Sequence, residues 1–379
     1  MSKARAIAAI NGQPTDRIPQ WDSPDNPSLA KMLFNYDIWE NPEKTAADCW
    51  KRFDIDLTHF IPGDIAEWNF PLVRYYGEAV YTDDPRCAPY KRAYKQPLKK
   101  PYQSMYDQLE RTSNASFWGL APTLSQNYNF TSPEDVLSFD PLSHDPYTLE
   151  ERTSFFQKHY RKKQALLGDS CLMTGWYYHT LFMWPVEIFG WEHFMVASML
   201  DPARFSEILD QFFKITWRDV SAMCKVESLP LIACHDDLCS ANGPMFAPSW
   251  YENHIFPYYK KLFAMIHAAG KKVIFVCDGN VVPLLDQILA TGVDGIVVDG
   301  QSDLAIVAEK FSGRIIVGGM KPAVVSQGTL MEIESMVQKT VSIIRGEPGY
   351  FFKCSGMNGE TSAGNVFHYQ ECLRRFGSR

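Results

Sequence analysis

The stretch Leu231-Ile-Ala-Cys-His235-Asp236-Asp237, with its counterpart Lys272-Val-Ile-Phe-Val-Cys277-Asp278-Gly279-Asn280, decides the fold. Each half is an apolar run that breaks into a polar cluster. The first opens into His235 through Gly243 and the second into Asp278-Gly279-Asn280. Between them Ser249–Ala269 is amphipathic, of helical length, and stops at Gly270. That order is strand, helix, strand, with the reactive groups where each strand ends. In parallel α/β proteins the carboxyl ends of the strands share one face, and binding chemistry collects there. The two acidic clusters are therefore expected to share one pocket.

Working outward, the alternation continues. Strands are expected near Leu172–Trp176, Leu229–Cys234, Gly295–Val298, Arg314–Val317 and Gly349–Lys353. Helices are expected at Trp184–Met199, Pro202–Val226, Val282–Thr291, Leu304–Phe311, Leu330–Arg345 and Ala363–Phe376. So many successive βα units, with no GxGxxG turn after any strand, favour a closed (β/α)8 TIM-type barrel over a doubly wound sheet. Residues 1–146 are irregular and rich in proline and aromatics, as in Pro19-Gln-Trp21 and Trp68-Asn-Phe-Pro71. Helices at Ala4–Ile10 and Pro42–Phe53 and short strands at Asp56–Ile61 and Val80–Tyr81 are expected there. This region should supply the first barrel elements and a wall of the mouth, and residues 147–379 the regular units, all within one domain, 1–379.

The 379 residues are 46% hydrophobic and 21% charged, enough for a large core. A net charge of −7 argues against a nucleic-acid partner. The short basic runs Lys91–Lys100 and Lys158–Lys163 read as solvated faces. The nine cysteines are scattered without a CxxC pair, which suits reduced thiols. No window approaches the roughly 18 apolar residues of a membrane span, and the first residues lack the apolar core of a signal peptide. A cytoplasmic location away from the membrane is expected.

Several spaced motifs then carry a family likeness: Arg17-Ile-Pro19, Asp236-Asp237, Asn242-Gly243, Pro248-Ser-Trp-Tyr251, Gly279-Asn280, Gly318-Gly319 and Asn365-Val366. Together they resemble the uroporphyrinogen decarboxylase-like superfamily, in particular its corrinoid-linked methyltransferase branch, over nearly the whole chain. Where the decarboxylases carry arginines for the porphyrinogen carboxylates, this chain has the acidic Gln20-Trp21-Asp22-Ser23-Pro24-Asp25. That segment would repel a polycarboxylate. Where the thiol-directed methyltransferases carry His-x-Cys before Gly-Asn and a later Cys as zinc ligands, this chain has Val276, Asp278 and Ser355, with Cys354 adjacent. The resemblance therefore implies the branch that moves a methyl group from a methoxylated aromatic to a corrinoid protein. Glu332, Glu347 and His368 also fall at the Glu-x14-Glu-x20-His spacing described for aryl-ether demethylases. On one continuous helix the two glutamates would stand roughly 22 Å apart, too far to share an ion.

On this reading His235, Asp237 and Asp278 are the expected catalytic residues, and Asp236 is free to cap the next element. Trp21, Trp176, Tyr177, His179, Asn242, Asn280 and Cys354 are expected to bind substrate, with Trp68 completing the wall. If zinc is bound, His235, Asp278 and Cys354 are its expected ligands. The expected cofactor is a corrinoid (cobalamin) carried by a separate corrinoid-binding protein, and a homodimer is left open. Methyl transfer involving a methylamine, chloromethane or thiol remains an alternative, as does a non-catalytic binding protein of the same fold.

Overall fold

The computed structural model describes residues 2–24, 26–36, 41–61, 130–145, 147–354, 357 and 361–379. Its strands are β1 (Leu57–Thr58), β2 (Leu172–Met173), β3 (Gly175–Tyr177), β4 (Leu231–His235) and the hairpin pair β5 (Cys239–Ser240) and β6 (Gly243–Pro244). They continue with β7 (Lys272–Cys277), β8 (Gly295–Val298), β9 (Ile315–Gly318) and β10 (Tyr350–Phe351). Parallel pairing runs β3-β4-β7-β8-β9-β10. β4 is buried along its whole length, which is why it reads as an apolar run rather than an alternation.

The amino-terminal region closes the ring. Trp21 N–H donates to Phe352 O (2.8 Å) and Phe352 N–H to Pro19 O (2.9 Å). Leu57 N–H reaches Gln20 O (3.0 Å), Leu172 N–H reaches Asp56 O and Thr174 N–H reaches Thr58 O (both 2.9 Å). With β2 and β3 forming one stave, residues 19–21, β1, β2–β3, β4, β7, β8, β9 and β10 make an eight-membered parallel barrel.

Side chains sort into two shells by strand alternation. Trp21, Leu57, Leu172, Trp176, Leu231, Ala233, Ile274, Val276, Val297, Ile315, Val317 and Phe351 fill the interior. The first helix, α1 (Ser2–Ile10), adds Ala6, Ala9 and Ile10 to that cluster and plugs the end opposite the carboxyl ends of the strands. Their neighbours in sequence, such as Ile232, Cys234, Val273 and Phe275, pack outward against the helices.

Two expected helices are each broken in two. The first stops at Gly190, whose φ of 78° leaves the helical region, giving Met183–Phe189 and Trp191–Leu200. The other breaks at Ile255, giving Pro248–His254 and Phe256–Ala268, because Pro257 has no N–H to continue the first helix. The expected strand Val80–Tyr81 and the expected wall residue Trp68 lie outside the described residues.

Candidate active site at the barrel mouth

His235 is the last residue of β4 and follows the inward Ala233 by two, so its ring enters the barrel. Nε2 lies 3.0 Å from Asp237 Oδ1, and the same oxygen accepts the backbone N–H of Asp278 at 2.9 Å. Nδ1 is buried and has no hydrogen-bond partner among the described residues. Burial works against the His235 imidazolium, but the Asp237 carboxylate outweighs it and raises the pKa. Burial would likewise raise Asp237, but the His235 charge prevails and holds that carboxyl below its ordinary range. Asp278 reaches solvent at the mouth yet is ringed by protein. Desolvation, followed by the Asp237 charge, pushes its pKa up to about 6.

Asp236 turns the other way. Its carboxylate accepts the N–H groups of Leu181 (2.6 Å), Phe182 and Met183 (both 2.7 Å) and the Tyr259 hydroxyl (2.5 Å). It caps the start of helix Met183–Phe189, so of the two adjacent acids only Asp237 meets His235. The glycine after Asp278 is required sterically. Gly279 has φ +85°, and an added Cβ would lie 2.6 Å from Ser240 O of the β5–β6 hairpin.

An aromatic wall stands beside the pair. His59 stacks on Trp176 (centroids 3.9 Å, 25°), and Trp21 Nε1–H donates to His59 Nδ1 (3.2 Å). Burial, with the charges of Lys353 and His235, drives the His59 pKa well down, so it stays neutral. Trp176 meets His235 edge-on at 5.4 Å, and the Tyr178 ring lies 4.0 Å from it. Lys353 Nζ sits 5.8 Å from the Trp176 ring centroid.

The structure corrects several expected assignments. Tyr177 points outward, its hydroxyl donating to Asp219 (3.4 Å), and Tyr178 takes the inward position instead. His179 adopts φ 54° and packs between Tyr178 and Trp184, within electrostatic reach of Asp237. Asn242 is exposed at the β5–β6 turn. Asn280 Oδ1 accepts the Val282 N–H (3.3 Å), so its side chain shapes the following turn. Cys354 packs in the outer shell, and burial drives its thiol pKa well up.

Cys354 therefore does not join His235 and Asp278. The donors that converge are His235, Asp237 and Asp278, all within 4.8 Å of one another. One imidazole and two carboxylates fit a divalent ion of the zinc class, without a thiolate. The Glu332–Glu347–His368 set does not converge. Glu332 closes a capping box with Thr329, Glu347 accepts from Ser312 Oγ and Gly313 N–H, and helix Leu330–Ile344 runs unbroken between them. His368 instead approaches Cys372 and Glu334. There its Nε2 lies 3.1 Å from Leu330 O, and Glu334 is engaged by Gln338 and Arg375.

Sequence reasoning missed His59, Tyr178 and Lys353. Each stands two residues beyond an interior residue (Leu57, Trp176, Phe351), so strand alternation places it only once the tertiary structure has fixed the phase of the strand.

Residues 188–376 match the family model described as uroporphyrinogen decarboxylase (URO-D). A uroporphyrinogen decarboxylase from Geotalea uraniireducens (strain Rf4) is 26% identical over 138 residues, covering 36% of this chain and 40% of that protein. The methylcobamide:CoM methyltransferase MtbA from Methanosarcina acetivorans is 27% identical over 141 residues, again 36% of this chain and 40% of that protein. The chain thus spans 40% of the length of these curated relatives. Among solved structures, D-psicose 3-epimerase from Clostridium cellulolyticum H10, crystallised with D-tagatose, is 9% identical. Its TM-score is 0.34, with 67% of this chain and 96% of that one covered, a likeness that carries no argument.

Proposed function

Because this chain belongs to the uroporphyrinogen decarboxylase-like superfamily, we propose that it is a corrinoid-dependent methyltransferase that demethylates a methoxylated aromatic compound. The observation that carries this reading is the His235–Asp237 pair, with Nδ1 unpartnered beside an aromatic wall. An aryl ether resists displacement because phenolate leaves poorly, its conjugate acid having a pKa of about 10. The ether oxygen therefore needs a proton or a polarising charge as the bond breaks. Asp237 takes the Nε2 proton of His235 in a hydrogen bond and favours the imidazolium, whose Nδ1–H is then the donor to the ether oxygen. Trp176 and Tyr178 offer flat apolar surfaces that orient an arene ring, while Trp21, expected there too, is fully buried and backs Trp176 edge-on at 6.0 Å.

A reduced corrinoid on a separate protein would supply the electron pair that takes the methyl group. His235, Asp237 and Asp278 would hold a zinc-class ion if one binds, and it would polarise the same oxygen. Porphyrinogen decarboxylation fits less well. Trp21 fills the barrel interior and Asp22 is buried where the resemblance puts carboxylate-binding arginines.

The test is cobalt methylation, followed by absorbance, with reduced corrinoid protein and methoxyarenes of graded phenol pKa. His235→Ala and Asp237→Asn are expected to slow the chemical step by about 10²–10⁴-fold. The loss should be smaller for arenes whose phenolates leave readily. Equal slopes against phenol pKa in wild type and both variants would remove the acid role. Methylation from a methylamine or chloromethane but from no arene would overturn the substrate class.

A further inference from the structure

A second group of metal-type donors lies on the outer helices. Helix Ala363–Phe376 carries His368 and Cys372 one turn apart, at i and i+4 on a single face. Helix Leu330–Ile344 packs beside it and supplies Glu334. The imidazole, thiol and carboxylate converge, so that one ligand atom from each lies within 4.8 Å of the others. Neither Glu332 nor Glu347 takes part.

We propose that Glu334, His368 and Cys372 form a site for a divalent ion of the zinc class, which ties helix Leu330–Ile344 to helix Ala363–Phe376. The site uses none of the residues at the barrel mouth and is independent of the methyl-transfer reading.

Geometry and donor chemistry both favour this assignment. Ligand atoms around a tetrahedral zinc stand about 3.5 Å apart, given bonds of roughly 2.0 Å to nitrogen and 2.3 Å to sulfur. His368 Nε2 is 3.4 Å from Cys372 Sγ and 3.1 Å from Leu330 O, so a thiol and a carbonyl already stand near ligand spacing. Glu334 meets Gln338 (3.3 Å) and Arg375 (3.5 Å) through Oε1, which leaves Oε2 for an ion. Imidazole, thiolate and carboxylate together suit a borderline-soft ion, whereas magnesium and calcium take oxygen ligands. Cys372 is buried while His368 and Glu334 are half-buried, so the ion has a path from the surface. Burial, followed by the Glu334 charge, raises the Cys372 thiol pKa against the pull of Arg375. A dication offsets that carboxylate, and on binding the thiol proton passes to solvent. The imidazole keeps its proton on Nδ1 and exchanges the Nε2 contact with Leu330 for the metal bond. The helix so held carries Tyr369, whose hydroxyl donates to Asp22 beside the first stave (3.4 Å).

The test uses full-length protein freed of metal by chelation and titrated with cobalt(II) under nitrogen. One equivalent is expected to give a thiolate-to-cobalt charge-transfer band in the near ultraviolet, and zinc should displace the cobalt and erase it. His235, Asp237 and Asp278 include no thiol, so cobalt at the mouth cannot produce that band and Asp278→Asn should keep it. Cys372→Ser should abolish it. His368→Ala and Glu334→Gln should each weaken the binding that gives the band by at least about tenfold. Zinc should also raise the thermal midpoint more in wild type than in His368→Ala. A wild type without the band, or a band that persists in Cys372→Ser, would overturn the assignment. Circular dichroism checks folding. If Cys372→Ser does not fold, unchanged cobalt affinity and equal zinc shifts in His368→Ala would overturn it instead.

Discussion

Asp22 sits beside the first stave with no exposure to water, and burial pushes its carboxyl from the ordinary 3.8 up to about 7, against the pull of Lys353. The folded chain therefore keeps a proton between about pH 4 and 7 that the unfolded chain has released. Stability from this group is fully present below the unfolded pKa and is lost as pH rises through 7, at roughly 1.4 kcal/mol per pH unit within the window. Asp22→Asn cannot titrate, so its urea midpoint should fall less steeply than that of wild type between pH 4.5 and 7.5. Parallel slopes would mean that Asp22 ionises freely in the folded protein. The same scale explains why two neighbouring acids differ. Asp236 is spent on three backbone N–H groups and a tyrosine, whereas Asp237 meets His235. Their side chains alternate across a strand end, a distinction already expected from Asp236-Asp237 in sequence.

Helices decide which spaced residues meet. Residues 330–344 form one uninterrupted helix that starts at a Thr329–Glu332 capping box, and Glu347 lies beyond its far end. The spacing of Glu332, Glu347 and His368 therefore reflects a cap, a loop contact and an interhelix contact, not one ligand set. Glu332→Ala should lower the thermal midpoint modestly and leave any bound zinc unchanged by elemental analysis. Asp278→Ala should reduce it. Zinc lost only from the Glu332 variant would refute this division. Local chemistry also set two helix breaks that hydrophobic periodicity alone did not register, at Gly190 and before Pro257. In both places the apolar spacing persists across a backbone that cannot remain helical.

The whole barrel depends on closure by its amino-terminal staves and on the helix beneath them. Arg5 of α1 is largely buried and pairs with Asp56 (2.5 Å) and Asp16 (2.6 Å), pinning the plug to the stave that carries β1. Arg5→Met keeps the stem but takes the closest cation from the fully buried Asp56, leaving it the Gln20 N–H (2.9 Å) and the more distant Arg17 (3.6 Å). It should cost about 3 kcal/mol in urea unfolding, as expected when one member of a buried pair is removed. A loss near zero would show that the plug is not held this way. The apolar runs of β4, β7, β8 and β9 were legible within a residue or two, because burial on both faces leaves a local signature. So were the polar strand ends that bring His235, Asp237 and Asp278 together, since parallel strands share a direction. The partnership of residues 19–21 with Phe352 and of Leu57 with Leu172 was not legible. These staves are too short to show a period, and their partners lie more than a hundred residues away. Nor was the phase of the doubly buried strands. With both faces apolar, sequence could not say whether Tyr177 or Tyr178, or Cys354 or Lys353, turns inward. Packing of the outer shell against the helices set that phase, and with it the residues that face the mouth.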